Sequence, residues 1–424
     1  MRSDRNYYQF SKNTVPDFSK LSGLHQADIC IVGAGFTGLG TALELAERGY
    51  QVCVLEGGSV GAGASGASGG QVTSGYSPGM IAVEEMAGRD DAAKMWALSE
   101  RSKEILKRRI DRYQIKCDFK EGEIYAAVKK SDFEWLKEEK QLCEDRFDFA
   151  GYELIEKADL PGFINSRRYV GGLLDKEGGH LHPLNYCLGL ADAVTSHGGV
   201  IYENSRALRY QETGETVTIF TDTGQVQAKA LVLAGNAYLN DIAPPLLKRM
   251  MPVKSSILAT APLDAERAKS LYPSDVCVCD TNFDLDYFKM SPDNRLIYGG
   301  QDFSFLGIGA PWARIRSNML KTFPDLDDLE IEYFWQGKIA FTRTLLPDAG
   351  QLSKNVFYAH GYSGQGVTVS NGTSEILARA VAGQLEALDV FSRLPKKRVP
   401  SSKYIQAPAI YLASLWYRLR DILG

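Results

Sequence analysis

One segment, residues 27–56, constrains the fold of this chain more than any other. It begins with a short apolar run at residues 27–32 (ADICIV), which is typical of a buried parallel strand. A glycine turn at residues 33–38 (GAGFTG), a helical pattern and a second apolar run at residues 51–55 follow, and Glu56 comes directly after them. This order of strand, glycine turn, helix, strand and acid predicts a βαβ unit that binds a dinucleotide.

Each glycine of the turn has a steric role in that interpretation. Gly33 allows the tight turn, Gly35 lets a pyrophosphate approach the backbone, and Gly38 permits close packing of helix on strand. The helix start offers free N–H groups and a partial positive charge to phosphates, and Glu56 is placed to accept hydrogen bonds from ribose hydroxyls. A structural turn without a ligand is the alternative, which the complete βαβ context disfavours. The motif alone does not distinguish NAD from FAD.

Two further glycine-rich segments favour FAD. The first, residues 57–79, is a Gly, Ala and Ser loop too long for a simple connection, and its backbone N–H groups suit an extended cofactor. A flexible linker is the alternative. The second, residues 361–366 (GYSGQG), lies between a predicted strand at 355–359 and a predicted helix at 367–382. The positive end of such a helix can face a flavin ring, where negative charge gathers on reduction, or it can form a second phosphate turn.

Composition narrows the class of protein. With 424 residues, 44% hydrophobic and 24% charged, the chain suits an ordered globular protein of two or three units. A formal net charge of -4 offers nucleic acid no basic surface. Seven cysteines without any CxxC spacing indicate reduced thiols, because a disulfide framework favours an even number. The polar N-terminal stretch and the lack of a run of ~18 apolar residues lead us to expect a soluble, cytoplasmic protein.

In its motifs the chain resembles the FAD-dependent amine and amino-acid oxidases of the D-amino-acid oxidase superfamily, and it is closest in look to the gamma-glutamylputrescine oxidases. The matching pieces occur in family order and span nearly the whole chain: residues 33–38 with Glu56, 63–66, 69–71, 179–183, 231–235, 295–300 and 358–366. The chain departs from the family pattern at Ala67-Ser68, where Arg-Asn is usual, and at Gln365, where His is usual.

The resemblance implies an α/β fold with two parts. A discontinuous Rossmann-type FAD-binding domain of the glutathione-reductase type would comprise residues 24–90, 166–245 and 337–390. A smaller substrate domain on an antiparallel or mixed sheet would comprise residues 91–165 and 246–336. In the tail, 391–424, the apolar residues of 412–423 share one helical face. We expect this helix to dock on its own body or on a second subunit of a homodimer, with weak peripheral contact to an anionic membrane as the alternative.

The resemblance also implies the reaction, which is oxidation of an amine C–N bond. The amine would give a hydride to flavin N5, and water would hydrolyse the resulting imine to an aldehyde. We expect O₂ to reoxidise the flavin and yield H₂O₂. Two alternatives remain, namely a dehydrogenase that passes electrons to a membrane acceptor and a non-catalytic or partner-modifying flavoprotein.

Comparison with the sarcosine-oxidising branch of the superfamily sharpens the expectations for cofactor and substrate. Phe341 stands where that branch attaches its flavin through a Cys, so we expect non-covalent FAD. Thr368 stands where that branch has a carboxylate-binding Lys, and residues 57–75 contain no Arg or Lys. We therefore expect an amine without a carboxylate on the reacting carbon, such as gamma-glutamylputrescine or another polyamine-type amine, unless Arg295 or Arg343 supplies the missing cation.

The candidate site residues follow from these motifs and from the resemblance. Tyr287 is a catalytic candidate because it could line the substrate face of the flavin, against ordinary core packing, and His360 is one because it precedes the last glycine loop. We expect no metal site, since His180 and His182 fit a structural motif and Cys277 and Cys279 lack partner ligands. The candidate cofactor-binding residues are Gly33, Ala34, Gly35, Phe36, Thr37, Gly38, Glu56, Ala64, Ser65, Gly69, Gly70, Gln71, Ala207, Ala234, Gly235, Gly361, Tyr362, Ser363, Gly364, Gln365, Gly366 and Val367.

Overall fold

The computed structural model describes residues 2–3, 6–15, 17–239, 242–302 and 310–399. The strands are β1 Arg2–Ser3, β2 Gly23–Gln26, β3 Ile29–Val32, β4 Val52–Leu55, β5 Gln71–Val72, β6 Lys120–Ala127, β7 Tyr152–Glu156, β8 Gly171–His180, β9 Val200–Tyr202, β10 Arg209–Thr213, β11 Thr216–Phe220, β12 Gly224–Ala228, β13 Ala230–Leu233, β14 Met251–Thr260, β15 Cys277–Asp280, β16 Asp286–Met290, β17 Leu296–Asp302, β18 Ile331–Phe341, β19 Asp348–Ser353 and β20 Val356–His360. The α-helices are α1 Tyr7–Phe10, α2 Phe36–Ala46, α3 Ala64–Ala67, α4 Met80–Ala87, α5 Arg89–Tyr113, α6 Lys130–Phe147, α7 Pro183–Ser196, α8 Pro244–Leu247, α9 Ala265–Leu271, α10 Pro311–Thr322, α11 Gly366–Val381 and α12 Asp389–Ser392.

A six-stranded sheet carries the glycine turns, with the order β19-β20-β13-β3-β4-β9. All neighbours in it are parallel except β19 and β20. Both faces of this sheet are covered, which is why its central strands are almost wholly apolar. Helices α2, α7 and α11 pack on one face, and a four-stranded sheet of order β10-β11-β12-β2 packs on the other.

A ten-stranded mixed sheet forms the second half of the fold, with the order β1-β18-β14-β17-β16-β15-β6-β8-β5 and with β7 beside β8. Its neighbours are antiparallel except for the pairs β1 with β18 and β15 with β6. Helices α9 and α10 share an apolar core with one face of this sheet. Ile257, Ile297 and Trp335 belong to the other face, which joins the core of the parallel half. The α/β fold expected from the sequence is therefore confirmed.

Three sequence-based expectations need correction in detail. Residues 57–79 are not a plain loop, because they contain α3 and β5, and the Gly66 N–H donates to the Gly61 carbonyl at 3.0 Å to set the turn before α3. The pattern of residues 198–210 predicts one strand, but this run is interrupted, and its halves β9 and β10 belong to different sheets. The pattern of residues 225–234 also predicts one strand, but the chain changes from one sheet to another between β12 and β13, where the N–H groups of Lys229 and Ala230 both donate to the Asp28 carbonyl. In addition, segment 166–245 contributes β8 to the ten-stranded sheet.

Within the residues that the structure describes, no helix is long and apolar enough to cross a membrane. The helix that we predict near residues 412–423 lies outside the described residues.

Candidate functional site

A cleft lies at the C-terminal ends of β3, β4 and β13. Sixteen of the predicted cofactor-binding residues line it, namely Gly33, Ala34, Gly35, Phe36, Thr37, Glu56, Ala64, Ser65, Ala207, Ala234, Gly235, Tyr362, Ser363, Gly364, Gly366 and Val367. Eight predicted residues are outside its lining, namely Gly38, Gly69, Gly70, Gln71, Gly361, Gln365, Tyr287 and His360. The fold thus brings three distant glycine segments to one end of a parallel sheet, where open α/β sheets bind their ligands.

The glycines of the first turn are required by close backbone contacts. Gly33 has a φ of +109°, and a Cβ there would be 2.9 Å from the Ala234 carbonyl oxygen. A Cβ on Gly38 would be only 1.8 Å from the Gly33 carbonyl oxygen. Gly38 therefore acts behind the cleft, by letting helix α2 start directly against the turn.

Two long helices begin at this cleft with no side-chain cap. The N-cap of α2 is Gly35, and that of α11 is Gln365. The Phe36 N–H donates to Ser65 Oγ at 3.1 Å, so the Gly/Ala/Ser segment folds over the start of α2. Helix starts carry partial positive charge and free N–H groups, and this end of the cleft therefore suits phosphate.

Glu56 is fixed at the tip of β4 by backbone donors. Its Oε2 accepts from the Ala34 N–H at 2.8 Å, and its Oε1 accepts from the Gly58 N–H at 2.9 Å. Each carboxylate oxygen has a second acceptor site, which leaves the group able to take hydrogen bonds from a pair of vicinal hydroxyls.

Contacts around the cleft, considered apart from the pattern of the glycine motifs, also fit FAD. A Cβ on Gly35 would meet Ser65 Oγ at 2.6 Å, so this position must stay bare beside the helix start. Gln365 Oε1 is buried and has no hydrogen-bond partner among the described residues, although it stands at the start of α11. Thr37 Oγ1 and the Tyr362 hydroxyl lie 2.8 Å apart and tie the first turn to the last glycine loop. An elongated group with phosphate, ribose and a polar ring matches this sequence of donors and acceptors.

Tyr287 lies on β16, just beyond the end of the cleft. Its hydroxyl is 2.8 Å from Ser255 Oγ, and burial raises the pKa of Tyr287, so the hydroxyl keeps its proton at neutral pH. Its ring packs against glycine backbone, since a Cβ on Gly69 would be 2.8 Å from Tyr287 Cε2 and one on Gly299 would be 2.3 Å from Cζ. The glycines of the 69–71 segment thus make room for this ring, whereas the cleft itself ends at Ser68.

His360 is fully buried, and its imidazole is paired behind the last glycine loop. Its Nε2 is 3.2 Å from Asp348 Oδ2, while Tyr358 and Lys396 reach the other carboxylate oxygen. Burial alone would raise the pKa of Asp348, but His360 and Lys396 hold it well below its usual range. The polar contact that His360 makes is therefore with Asp348 on β19 and not with the lining of the cleft.

Sequence reasoning missed a polar group next to Tyr287. Lys289 is two residues further along β16 and points to the same face, and it is only 5% exposed. Tyr8 of helix α1 lies beside it, with Lys289 Nζ 5.5 Å from the ring centroid, and Tyr8 also packs on Trp335. The spacing of Tyr287 and Lys289, two residues apart in a strand, indicates that they share one face of the sheet. Nothing in the sequence indicates that the N-terminal segment reaches that face.

The family model described as FAD dependent oxidoreductase matches residues 28–380. The gamma-glutamylputrescine oxidoreductase of Escherichia coli K12 is 38% identical over 422 residues, which cover 99% of this chain and 98% of that protein. The probable oxidoreductase OrdL of Haemophilus influenzae is also 38% identical, with 98% and 97% covered.

Solved structures with the same fold are more distant in sequence. An L-amino acid deaminase from Proteus vulgaris, without its specific insertion sequence, superposes with a TM-score of 0.72 at 17% identity and covers 89% of this chain and 96% of its own. Glycine oxidase from Geobacillus kaustophilus gives a TM-score of 0.69 at 21% identity, with 84% and 95% covered. At these identities the likeness concerns the fold alone.

Proposed function

The chain belongs to the family of FAD-dependent oxidoreductases, and on that premise we propose that it oxidises the C–N bond of an amine that carries no carboxylate on the reacting carbon. The observation that carries the proposal is the full-length match, at 38% identity, to a protein named for gamma-glutamylputrescine. Bound FAD would supply the two-electron acceptor that turns the amine into an imine, and the imine hydrolyses to an aldehyde.

The cofactor contacts that we propose use the atoms described above. The turn at 33–38 and the start of α2 would hold the pyrophosphate, Glu56 would hold the ribose hydroxyls, and the start of α11 would face the ring. Gly69, Gly70, Gln71, Gly361 and Gln365 would act from just outside the cleft lining. The Tyr287 hydroxyl would stay protonated on the substrate side of the flavin, and its hydrogen bond with Ser255 Oγ would hold it in place.

Three positions considered for a carboxylate-binding cation support a substrate without a carboxylate beside the reacting nitrogen. Thr368 is buried and its Oγ1 accepts from the Thr73 N–H at 2.8 Å, so it forms part of the frame. Arg295 is held by Asp293 and Glu332, each at 2.7 Å, and is therefore already neutralised. Arg343 is exposed.

Flavin bleaching under anaerobic conditions tests the proposal directly. The protein, loaded with FAD, would be mixed with gamma-glutamylputrescine, putrescine, sarcosine, glycine and D-alanine, and the flavin absorbance followed. We expect the amines to bleach the flavin, with kcat/KM above that for the three small amino acids. Faster bleaching by sarcosine, glycine or D-alanine would contradict the proposed substrate class, and bleaching by none would contradict the reaction.

Two further measurements address the acceptor and the cofactor linkage. We propose O₂ as acceptor, so aerobic turnover should release H₂O₂; activity seen only with an artificial acceptor would favour a dehydrogenase. We also propose that FAD is bound without a covalent bond, since Phe341 is no attachment point and Cys279 is the last cysteine. Acid precipitation should leave the yellow colour in the supernatant, and colour in the pellet would refute this point.

A further inference from the structure

A second cavity of about 520 Å³ lies beside the ten-stranded sheet, and the lining of the cofactor cleft includes none of its residues. Its lining includes Tyr8, His180, His182 and Lys289, and Lys120 lies nearer solvent. We refer to it as the lysine cavity. Four segments far apart in sequence thus contribute polar side chains to one space.

Lys289 is the chemical centre of this cavity. Its Nζ donates to the Leu181 carbonyl oxygen at 2.6 Å, which leaves two further N–H groups. Among the described residues, no carboxylate oxygen is paired with this ammonium group within 4.0 Å. A buried cation is stable only when an anion or several acceptors compensate it. The lining also contains Asp118 and Asp275, whose charges act on Lys289 without a direct ion pair, and together with Lys120 and Lys269 it holds three lysines against two aspartates. The cavity therefore keeps a net positive charge.

The neighbouring groups suit an incoming anion. Burial, together with the charge of Lys289, lowers the pKa of both His180 and His182 to about 3, so these rings are neutral and the positive charge of the cavity comes from its lysines. His180 Nε2 lies 2.9 Å from the Asp275 carbonyl oxygen, His182 Nδ1 accepts from the Asn185 N–H, and His182 Nε2 lies 3.0 Å from Ser11 Oγ. The Tyr8 hydroxyl is buried and has no hydrogen-bond partner among the described residues. A carboxylate could accept from both Lys289 and Tyr8.

The lysine cavity adjoins the end of the cofactor cleft. Ser68 lines the cleft, and a Cβ placed on Gly70 would lie 3.0 Å from Lys289 Nζ. Two residues of extended chain span at most about 7 Å, so only the short backbone segment of residues 69–70 lies between the two spaces. The same strand face carries Tyr287 against Gly69 and Lys289 against Gly70.

We propose that the lysine cavity binds a carboxylate at the end of the amine substrate remote from the oxidised carbon, with Lys289 and Tyr8 as its donors. This inference rests on the proposed amine oxidation and narrows its substrate class. The preferred substrates are diamines joined through an uncharged linker to an acidic group, and a free diamine lacks the group that this cavity selects.

A binding experiment tests the cavity without turnover. The probe is N5-propylglutamine, which has the distal carboxylate but no terminal amine to oxidise, and the reference probe is its decarboxylated analogue, 4-amino-N-propylbutanamide. Calorimetric titration of the FAD-loaded protein should give at least about tenfold tighter binding of the carboxylate probe, since a charge-assisted pair contributes ~1.5–3 kcal/mol. Equal affinity for the two probes would overturn the proposal.

Substitution assigns the selectivity to one side chain. Lys289→Met keeps length and removes charge, and it should reduce the affinity ratio of the two probes to about one. Lys176→Met makes the same change on β8 of the same sheet, at an exposed lysine paired with Glu153 and outside the cavity, and should leave the ratio unchanged. A ratio that survives in Lys289→Met would refute the role of Lys289.

The kinetic arm separates this inference from the proposed function. In Lys289→Met, kcat/KM for gamma-glutamylputrescine should fall at least about tenfold through KM, whereas kcat/KM for putrescine should not fall. An equal loss with both amines, expressed in kcat, would place Lys289 in the chemistry and overturn the inference. If neither amine bleaches the flavin of the unsubstituted protein, the proposed function fails, and the binding experiment alone decides the role of the cavity.

Discussion

The cofactor cleft and the lysine cavity adjoin each other, yet they are built in different ways. The cleft is formed by backbone from short contiguous motifs, with two helix starts and glycines that make room for them. The cavity is formed by side chains such as Tyr8, His182 and Lys289, each more than 100 residues from the next in the sequence. The backbone of the cleft therefore tolerates almost no added atom, whereas a single substitution in the cavity can change which ligand it binds.

This difference predicts an order of sensitivity. A change that adds an atom to the backbone frame of the cleft should abolish cofactor binding. A change to a single side chain at the cleft should weaken binding in a graded way. Changes in the cavity should leave the cofactor bound and alter only the choice of substrate.

The largest effect is expected for Gly38→Ala. The new Cβ would be 1.8 Å from the Gly33 carbonyl oxygen, so helix α2 would have to move away from the turn. We expect purified protein with little or no FAD, measured from the ratio of flavin to protein absorbance. Gly162→Ala is the control, because nothing lies within 4 Å of its Cβ position. Full flavin occupancy in Gly38→Ala would refute the steric argument.

A smaller effect is expected for Glu56→Ala. Its carboxylate is fixed by the Ala34 and Gly58 N–H groups, and each charge-assisted bond to a ribose hydroxyl contributes about 1.5–3 kcal/mol. Removal of the carboxylate should weaken FAD binding about tenfold to a hundredfold or more, with the fold intact by circular dichroism. Titration of the apoprotein by flavin fluorescence measures the change. Glu56→Gln retains one acceptor and should lose less; unchanged affinity in Glu56→Ala would contradict the assignment.

The sequence predicts the cleft much better than the cavity, and the reason is physical. A glycine turn between a strand and a helix is a local pattern, so residues 33–38 and 361–366 indicate their own conformation. The four central strands could likewise be recognised, because a strand buried on both faces is apolar throughout. Lys289 carries no such local mark, since a lysine in an alternating strand ordinarily faces solvent. Only tertiary structure brings Tyr8, which itself packs on Trp335, beside this lysine.

His360 illustrates the same limit. Its position before a glycine loop suggested a contact with the ring, but its side chain faces Asp348 on the neighbouring strand β19. The register of β19 on β20 pairs these two residues, and that register depends on strand pairing rather than on the motif. Side-chain direction at the end of a strand is therefore poorly predicted from sequence.

A moderate effect of pH should distinguish the two sites. Burial lowers the pKa of Lys289 to about 8, so its ammonium form, and with it the affinity for the carboxylate probe, is nearly complete below about pH 7, is halved at pH 8 and is largely lost above about pH 9. Kd for N5-propylglutamine should rise by about fivefold between pH 8 and pH 9, whereas Kd for the decarboxylated analogue should stay constant. A flat profile for the carboxylate probe would contradict a charged Lys289. The other titratable groups that face this amine or border the cavity are Tyr7, Tyr8, Cys117, Asp118, Lys120, His180, His182, Lys269, Tyr272, Asp275, Cys277 and Tyr287.

The smallest effect is expected for Tyr287→Phe, which lies at the boundary between the two sites. It removes one hydrogen bond to Ser255 Oγ at 2.8 Å, while the ring keeps its packing against Gly69 and Gly299. Such a bond contributes about 0.5–1.5 kcal/mol, so thermal unfolding should shift by only a few degrees and FAD occupancy should not change. Ser255→Ala and the double variant complete the cycle, and the two single changes should not add because they remove the same bond.

We expect kcat/KM for the best amine to fall less than about tenfold in Tyr287→Phe. A loss above about a hundredfold, with flavin still bound, would contradict this expectation. It would show that the Tyr287 hydroxyl is a catalytic group, and that Tyr287 acts in the reaction rather than in the packing between the two sites.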